Sequence, residues 1–133
     1  MEKRRVLVVD DEAGITGLVR LNLEKTGRYE VREMCTSTGV GDAARQFGPH
    51  LILLDMLMPG KDGGQVLAEL RAQEETKQVP VIFLTAAMSK ESVNARQGKV
   101  AGLPVIAKPI RARELIDRIE EVIGTETVLE FKI

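Results

Sequence analysis

Four short apolar runs in this chain each end on side chains that can do chemistry: Val6–Val9 on Asp10 and Asp11, Leu51–Leu54 on Asp55, Val81–Leu84 on Thr85, and Val105–Ala107 on Lys108. Three carboxylates brought together repel one another, and protonation or a bound cation must relieve them. An all-oxygen donor set with room for retained water suits Mg2+, whereas a chain with one histidine and one cysteine cannot build a softer metal site. A carboxylate beside such a cation can attack a phosphoryl group, because catalysis of that transfer is mostly positioning and neutralisation of charge on the transferred oxygens. In this chemistry Asp55 is the nucleophile and becomes an aspartyl phosphate, Mg2+ and Lys108 neutralise charge, and Thr85 donates a hydrogen bond.

Taken singly, each residue has an ordinary structural reading. Asp11 could cap the helix that follows, Asp55 could be a polar residue at a strand end, and Thr85 could make a local ST-turn. Asp62-Gly63 reads as a turn with an N-cap, and Lys108 as a solvated surface lysine. What favours chemistry is the arrival of all five groups at one place, and that depends on the elements that carry them.

Those elements follow from hydrophobic period. Val6–Val9 is a buried-strand run, followed by Ile15, Leu18, Val19 and Leu23 at helical spacing, closed at Gly27. Tyr29–Met34 alternates as a strand nearer a sheet edge does, and Val40, Ala43, Ala44 and Phe47 form a second helical stripe stopped by Gly48-Pro49. Leu51–Leu54 is apolar throughout, as a central parallel strand should be. Val66, Leu67 and Leu70 mark a third helix, Val81–Leu84 a fourth strand, and Ser89 to Lys99 a thin fourth helix with few large apolar residues. Val105–Ala107 is a short fifth strand, and Leu115, Ile116, Ile119, Val122 and Ile123 give the cleanest helical stripe, ending at Gly124. Five strand-then-helix units predict parallel pairing with right-handed crossovers, hence a three-layer α/β sandwich. All strand C-termini then open on one edge, where such sheets bind ligands.

Composition narrows the function classes. A length of 133 residues with 44% hydrophobic residues makes one domain. Lys+Arg 19 against Asp+Glu 20 leaves a net charge of -1, which gives no attraction to a phosphate backbone, and four aromatic residues (Tyr29, Phe47, Phe83, Phe131) are too few for a base-stacking platform. Nucleic acid is therefore not expected as a direct partner. The N-terminal residues run into Val6–Val9 and then acid without an h-region, and no stretch reaches the roughly 18 apolar residues of a membrane span. A cytoplasmic protein without a membrane partner is expected. His50, after Gly48-Pro49, is expected in a surface loop at the edge away from Asp55 with no role, and Cys35 as a small, partly buried residue.

The order Asp10-Asp11, then Asp55 within Asp55-Met56-Leu57-Met58-Pro59-Gly60-Lys61-Asp62-Gly63, then Thr85-Ala86, then Lys108-Pro109 closely resembles the receiver domain of two-component response regulators, over residues 5 to about 124. The resemblance implies a flavodoxin-like, doubly wound sheet of five parallel strands in order 2-1-3-4-5 with five helices, filling residues 1–124. It implies that Asp55 accepts a phosphoryl group from a sensor histidine kinase or phosphotransfer protein. Asp11 is then the direct Mg2+ ligand, Asp10 acts largely through water, and the main-chain carbonyl of Leu57 joins Asp55 as a ligand. Thr85 is the switch hydroxyl, Lys108 the charge partner of the phosphoryl group, and the Lys108-Pro109 bond is cis. Such a domain is a signalling switch with a downstream protein or output domain as partner, and not a turnover enzyme.

Departures from the family pattern are informative. Val105 stands three before Lys108 where many receivers carry a rotating Tyr or Phe, and Ile110 follows Pro109 where an aromatic is common. Leu57 and Ala87, at the positions that tune dephosphorylation, cannot hydrogen-bond an attacking water, so a long-lived phosphoryl group is expected. Two other functional classes compete. A phosphatase of the haloacid dehalogenase type needs a second Asp where Leu57 stands, and a phosphate-independent pseudo-receiver has no need of all five site residues. In the tail, 125–133, Leu129, Phe131 and Ile133 alternate with Glu130 and Lys132. That pattern suits a linker, the start of an output domain, or a strand that pairs with another copy to make a homodimer. The receiver-like unit leaves no room for an effector domain within this chain.

Overall fold

The computed structural model describes residues 2–124. The 125–133 tail, with its three expected readings, lies outside the described residues. Strands β1 (Arg4–Val9), β2 (Tyr29–Met34), β3 (Leu51–Asp55), β4 (Val81–Thr85), β5 (Lys99–Val100) and β6 (Leu103–Ala107) are connected by helices α1 (Ala13–Glu24), α2 (Val40–Phe47), α3 (Gly63–Ala72) and α4 (Lys90–Ala95), and α5 (Ala112–Ile123) ends the unit. The sheet order is β2-β1-β3-β4-β6-β5. The expected five parallel strands and five helices are present; the expected fifth strand is β6.

Strict alternation along β1 explains the layers, because successive side chains of a strand point to opposite faces. Val6 and Val8 pack with Val19 and Leu23 of α1 and with Leu115 and Ile119 of α5. Leu7 and Val9 pack on the other face with Val40 of α2, Val66 and Leu70 of α3, and Val93 of α4. Leu51–Asp55 and Val81–Thr85 are buried throughout, so the strands that end on Asp55 and Thr85 are held on both faces. Among the described residues, no helix is long and apolar enough to cross a membrane.

Three local expectations are corrected. Helix α4 does not run to Lys99: it stops at Ala95, after which Gln97 and Gly98 take positive φ values of 59° and 75°. Lys99–Val100 then turns back antiparallel on Leu103–Pro104, an additional strand at the sheet edge. The turn between them, Ala101-Gly102, has φ of 52° and 80°, the backbone twist of a type I′ hairpin. Leu18 does not belong to the buried stripe of α1: it is 41% exposed, and Thr16, Val19 and Leu23 are buried instead. Cys35 is exposed rather than partly buried, with its Sγ 3.6 Å from Thr16 Oγ1. His50 sits immediately before β3, where its Nδ1 accepts the Arg5 N–H at 2.8 Å and its own N–H donates to Arg5 O at 2.8 Å, prolonging the β1–β3 ladder.

The Ala101 conformation carries a stability prediction. A non-glycine residue in the left-handed region costs about 1–2 kcal/mol, and asparagine tolerates it far better than alanine. Ala101→Asn, which creates an Asn-Gly turn, is expected to stabilise the protein by about 0.5–1 kcal/mol in urea denaturation. An unchanged or lower midpoint would contradict the hairpin.

Candidate functional site

Parallel pairing of β1 with β3 and of β3 with β4 brings three strand ends side by side at one edge. Asp10 follows β1 directly, and its N–H donates to Met34 O at 3.0 Å, so the strand hands it over fully buried. Asp55 is the last residue of β3, 4% exposed, and its Oδ1 accepts the Leu57 N–H at 3.3 Å. Carboxylate oxygens of Asp10, Asp11 and Asp55 all lie within 4.8 Å of one another, with Asp11 on the solvent side. Lys108 enters from β6, where its N–H donates to Thr85 O at 2.7 Å and its peptide bond to Pro109 is cis, as expected. Its Nζ stands 2.8 Å from Asp10 Oδ2, 3.1 Å from Glu12 Oε1 and 3.6 Å from Asp55 Oδ2.

Electrostatics follow from this crowding. Burial, and then the charge of Asp10, raise the Asp55 carboxyl from 3.8 to about 6, against the smaller opposing pull of the Leu57 N–H and Lys108. Burial alone lowers the Lys108 ammonium, but hydrogen bonds to Asp10 and Glu12 together with the charges of Asp10 and Asp55 outweigh it and leave the group raised. Asp10 is fully buried, with the Lys108 ammonium 2.8 Å from its Oδ2 and the Glu12 N–H donating to its Oδ1 at 3.0 Å. Three clustered carboxylates, two of them buried and faced by a single close ammonium, fit a hard divalent cation such as Mg2+.

The plain structural readings divide. Asp11 does not cap α1, whose N-cap is Glu12 with no side-chain cap. Asp62 does cap α3: its Oδ1 accepts the Gln65 N–H at 2.9 Å and Gln65 Oε1 accepts the Asp62 N–H at 2.9 Å, a reciprocal capping box. Thr85 is buried, with its Oγ1 accepting the Ala87 N–H at 3.0 Å, so the hydroxyl holds the loop after β4 while its proton stays free to donate. Lys108 is not a solvated lysine, since its side chain is 10% exposed. Thr85 also lines an apolar groove with Leu57, Met88, Val100 and Leu103, which links the site edge to the β5–β6 hairpin. Val105 is fully buried in the core layer of α2, α3 and α4, where it pairs across β4 and β6 with the buried Phe83.

Two residues escaped the sequence reading. Glu12 contacts Lys108, yet one more acidic residue after Asp10-Asp11 carries no mark of that. Ser37 is buried in the loop after β2, donating from Oγ to Pro59 O at 3.0 Å and accepting the Lys61 N–H at 3.2 Å, which ties down the loop that follows Asp55. In sequence Thr36-Ser37-Thr38 looks like any polar loop.

Comparison with known proteins agrees with this geometry. The model of the response regulator receiver domain matches residues 6–120. The uncharacterized transcriptional regulatory protein YkoG of Bacillus subtilis (strain 168) is 38% identical over 135 aligned residues, which cover 96% of this chain and 55% of YkoG. The chain thus spans about half the length of that relative. The chemotaxis protein CheY4 of Vibrio cholerae superposes with a TM-score of 0.77 at 26% identity, covering 91% of this chain and 99% of CheY4. The receiver domain of the sensor histidine kinase PA1611 from Pseudomonas aeruginosa PAO1 superposes at 0.76 with 28% identity, covering 93% and 100% of the two chains, and holds a magnesium ion in its active-site cleft. The buried Asp10–Asp55–Lys108 edge thus sits in a fold and sequence pattern that together place this chain in the response regulator receiver domain family.

Proposed function

We propose that this chain is the phosphoacceptor switch of a two-component system, phosphorylated on Asp55. The observation that carries the reading is the Asp55 carboxylate at a buried strand end, faced by Lys108 at 3.6 Å and clustered with Asp10 and Asp11. An Asp55 oxygen attacks the phosphorus of a phosphohistidine on a sensor kinase or phosphotransfer protein. A P–O bond forms, the P–N bond breaks, and the imidazole nitrogen leaves with the electron pair. Asp10, Asp11, Asp55 and the main-chain carbonyl of Leu57 would hold Mg2+, which when bound offsets charge on the phosphoryl oxygens. Lys108 turns to the new phosphoryl oxygens, and the Thr85 hydroxyl donates to one of them. That motion strains the Thr85–Ala87 hydrogen bond and loosens the groove beside the β5–β6 hairpin, a route outward that needs no aromatic ring at Val105. The output is a changed contact with a downstream protein or an output domain, in the cytoplasm.

Incubation with acetyl phosphate and Mg2+ tests this. Mass spectrometry is expected to find one phosphoryl group, located on Asp55. With Leu57 63% exposed beside Asp55 and neither it nor Ala87 able to orient a water by its side chain, the label is expected to outlast desalting and a further incubation in Mg2+ buffer. Loss within seconds would overturn the lifetime prediction. No uptake would favour a phosphate-independent module, and turnover of a soluble phosphate ester an aspartate phosphatase.

A further inference from the structure

We infer that Glu12 is a positioning residue that holds Lys108 away from Asp55 in the unphosphorylated protein and must release it for phosphoryl uptake, an inference that rests on the proposed function. The Lys108 ammonium faces three carboxylates, and its contact with Asp55, at 3.6 Å, is the longest of them. It donates to Glu12 Oε1 at 3.1 Å while standing 2.8 Å from the buried Asp10 Oδ2, so Glu12 and Asp10 together draw it to the side away from Asp55. Asp10 and Asp55 are buried at strand ends, whereas the Glu12 side chain is 62% exposed and outside the clustered carboxylates. Its backbone is nevertheless fixed, because the Glu12 N–H donates to Asp10 Oδ1 at 3.0 Å. An exposed side chain on an anchored backbone can hold a lysine and let it go.

Phosphorylation changes what competes for that lysine. A phosphoryl group on Asp55 offers charged oxygens in the place of one carboxylate, and Lys108 moves toward them only by leaving Glu12. Glu12 therefore opposes formation of the phosphorylated state through Lys108, and not merely by repelling an anionic donor at the mouth of the site. Its side chain caps nothing in α1, so replacing it leaves the fold intact.

The test is a double-mutant cycle on acetyl phosphate uptake, read by intact mass spectrometry with incubations long enough for slow variants. Glu12→Gln is expected to speed uptake about two- to fivefold, the scale of an exposed ion pair. Beryllofluoride, titrated with Mg2+ present and followed through the Thr85 and Ala87 amide resonances, is expected to bind Glu12→Gln more tightly by a similar factor. In a Lys108→Met background both gains should disappear. An undiminished gain there means plain repulsion and overturns the inference, as does uptake in Glu12→Gln equal to that of the unaltered protein. If the unaltered protein takes up no phosphoryl group, the proposed function falls and this inference with it.

Discussion

Asp55→Asn is expected to abolish phosphoryl uptake and, in metal-free buffer above pH 6, to raise the melting temperature. The first effect follows from the proposed role of Asp55 as nucleophile: an amide oxygen is a poor attacker, and no other carboxylate ends β3. The second follows from the position of Asp55 in the native protein, where burial and the charge of Asp10 raise its carboxyl to about 6 from an ordinary 3.8. Below about pH 3.8 the group is protonated in native and unfolded chains alike and costs nothing. Between 3.8 and about 6 the native state keeps a proton that the unfolded chain has lost, so this group's contribution to stability declines as pH rises. Above that window the destabilisation is complete, on the order of 1–3 kcal/mol. The Asn variant lacks it, so its advantage over the unaltered protein should open between pH 4 and 6 and stay level above. Adding Mg2+ is expected to stabilise the unaltered protein far more than the variant, since only the former keeps all three carboxylates. Thermal melts followed by circular dichroism would check this, and an advantage independent of pH would contradict the origin given for it.

How much of this was legible in the residues can be traced element by element. Leu51–Leu54 and Val81–Leu84 announced themselves because a strand buried on both faces admits only apolar residues, so a polar residue at its end stands out. For that reason Asp55 and Thr85 are legible from the sequence alone. The β5–β6 hairpin was not, because its turn is Ala101-Gly102 and alanine gives no sign of the left-handed conformation it adopts there. Leu18 misled in the other direction: helical spacing fixes a face but not its angular limits, and α1 buries Thr16 while leaving Leu18 exposed. Glu12 and Ser37 were hidden for another reason. Their partners, Lys108 and Pro59, lie 96 and 22 residues away, and a polar side chain in a loop reveals nothing about what the fold brings to it.

Gly63→Ala is expected to be the most damaging single-methyl substitution in the molecule, although alanine is ordinarily the better helix former by about 1 kcal/mol. Gly63 opens α3 behind the Asp62 cap, and its N–H donates to Met56 O at 2.9 Å, drawing the first turn of the helix onto the end of β3. A Cβ there would lie 2.7 Å from Asp55 O, 2.9 Å from Met56 Cα and 3.0 Å from Phe83 Cε1. Two of these three atoms are backbone and the third belongs to a core ring, so no flexible tip can give way. Relief requires moving either α3 or the peptide that carries Asp55, and overpacking of this kind costs about 1–3 kcal/mol or more on top of the lost capping geometry. Gly17, in the middle of α1, is the matching control: an added Cβ meets only Glu33 Oε1, at 4.0 Å, so Gly17→Ala should stabilise by about 0.5–1 kcal/mol. Urea denaturation of the two variants should therefore move in opposite directions. The folded fraction of Gly63→Ala should also take up phosphoryl groups more slowly than the unaltered protein, because the displaced peptide is the one that aims the Asp55 carboxylate at Lys108. A Gly63→Ala protein as stable and as reactive as the original would show that α3 does not press on the strand that carries Asp55.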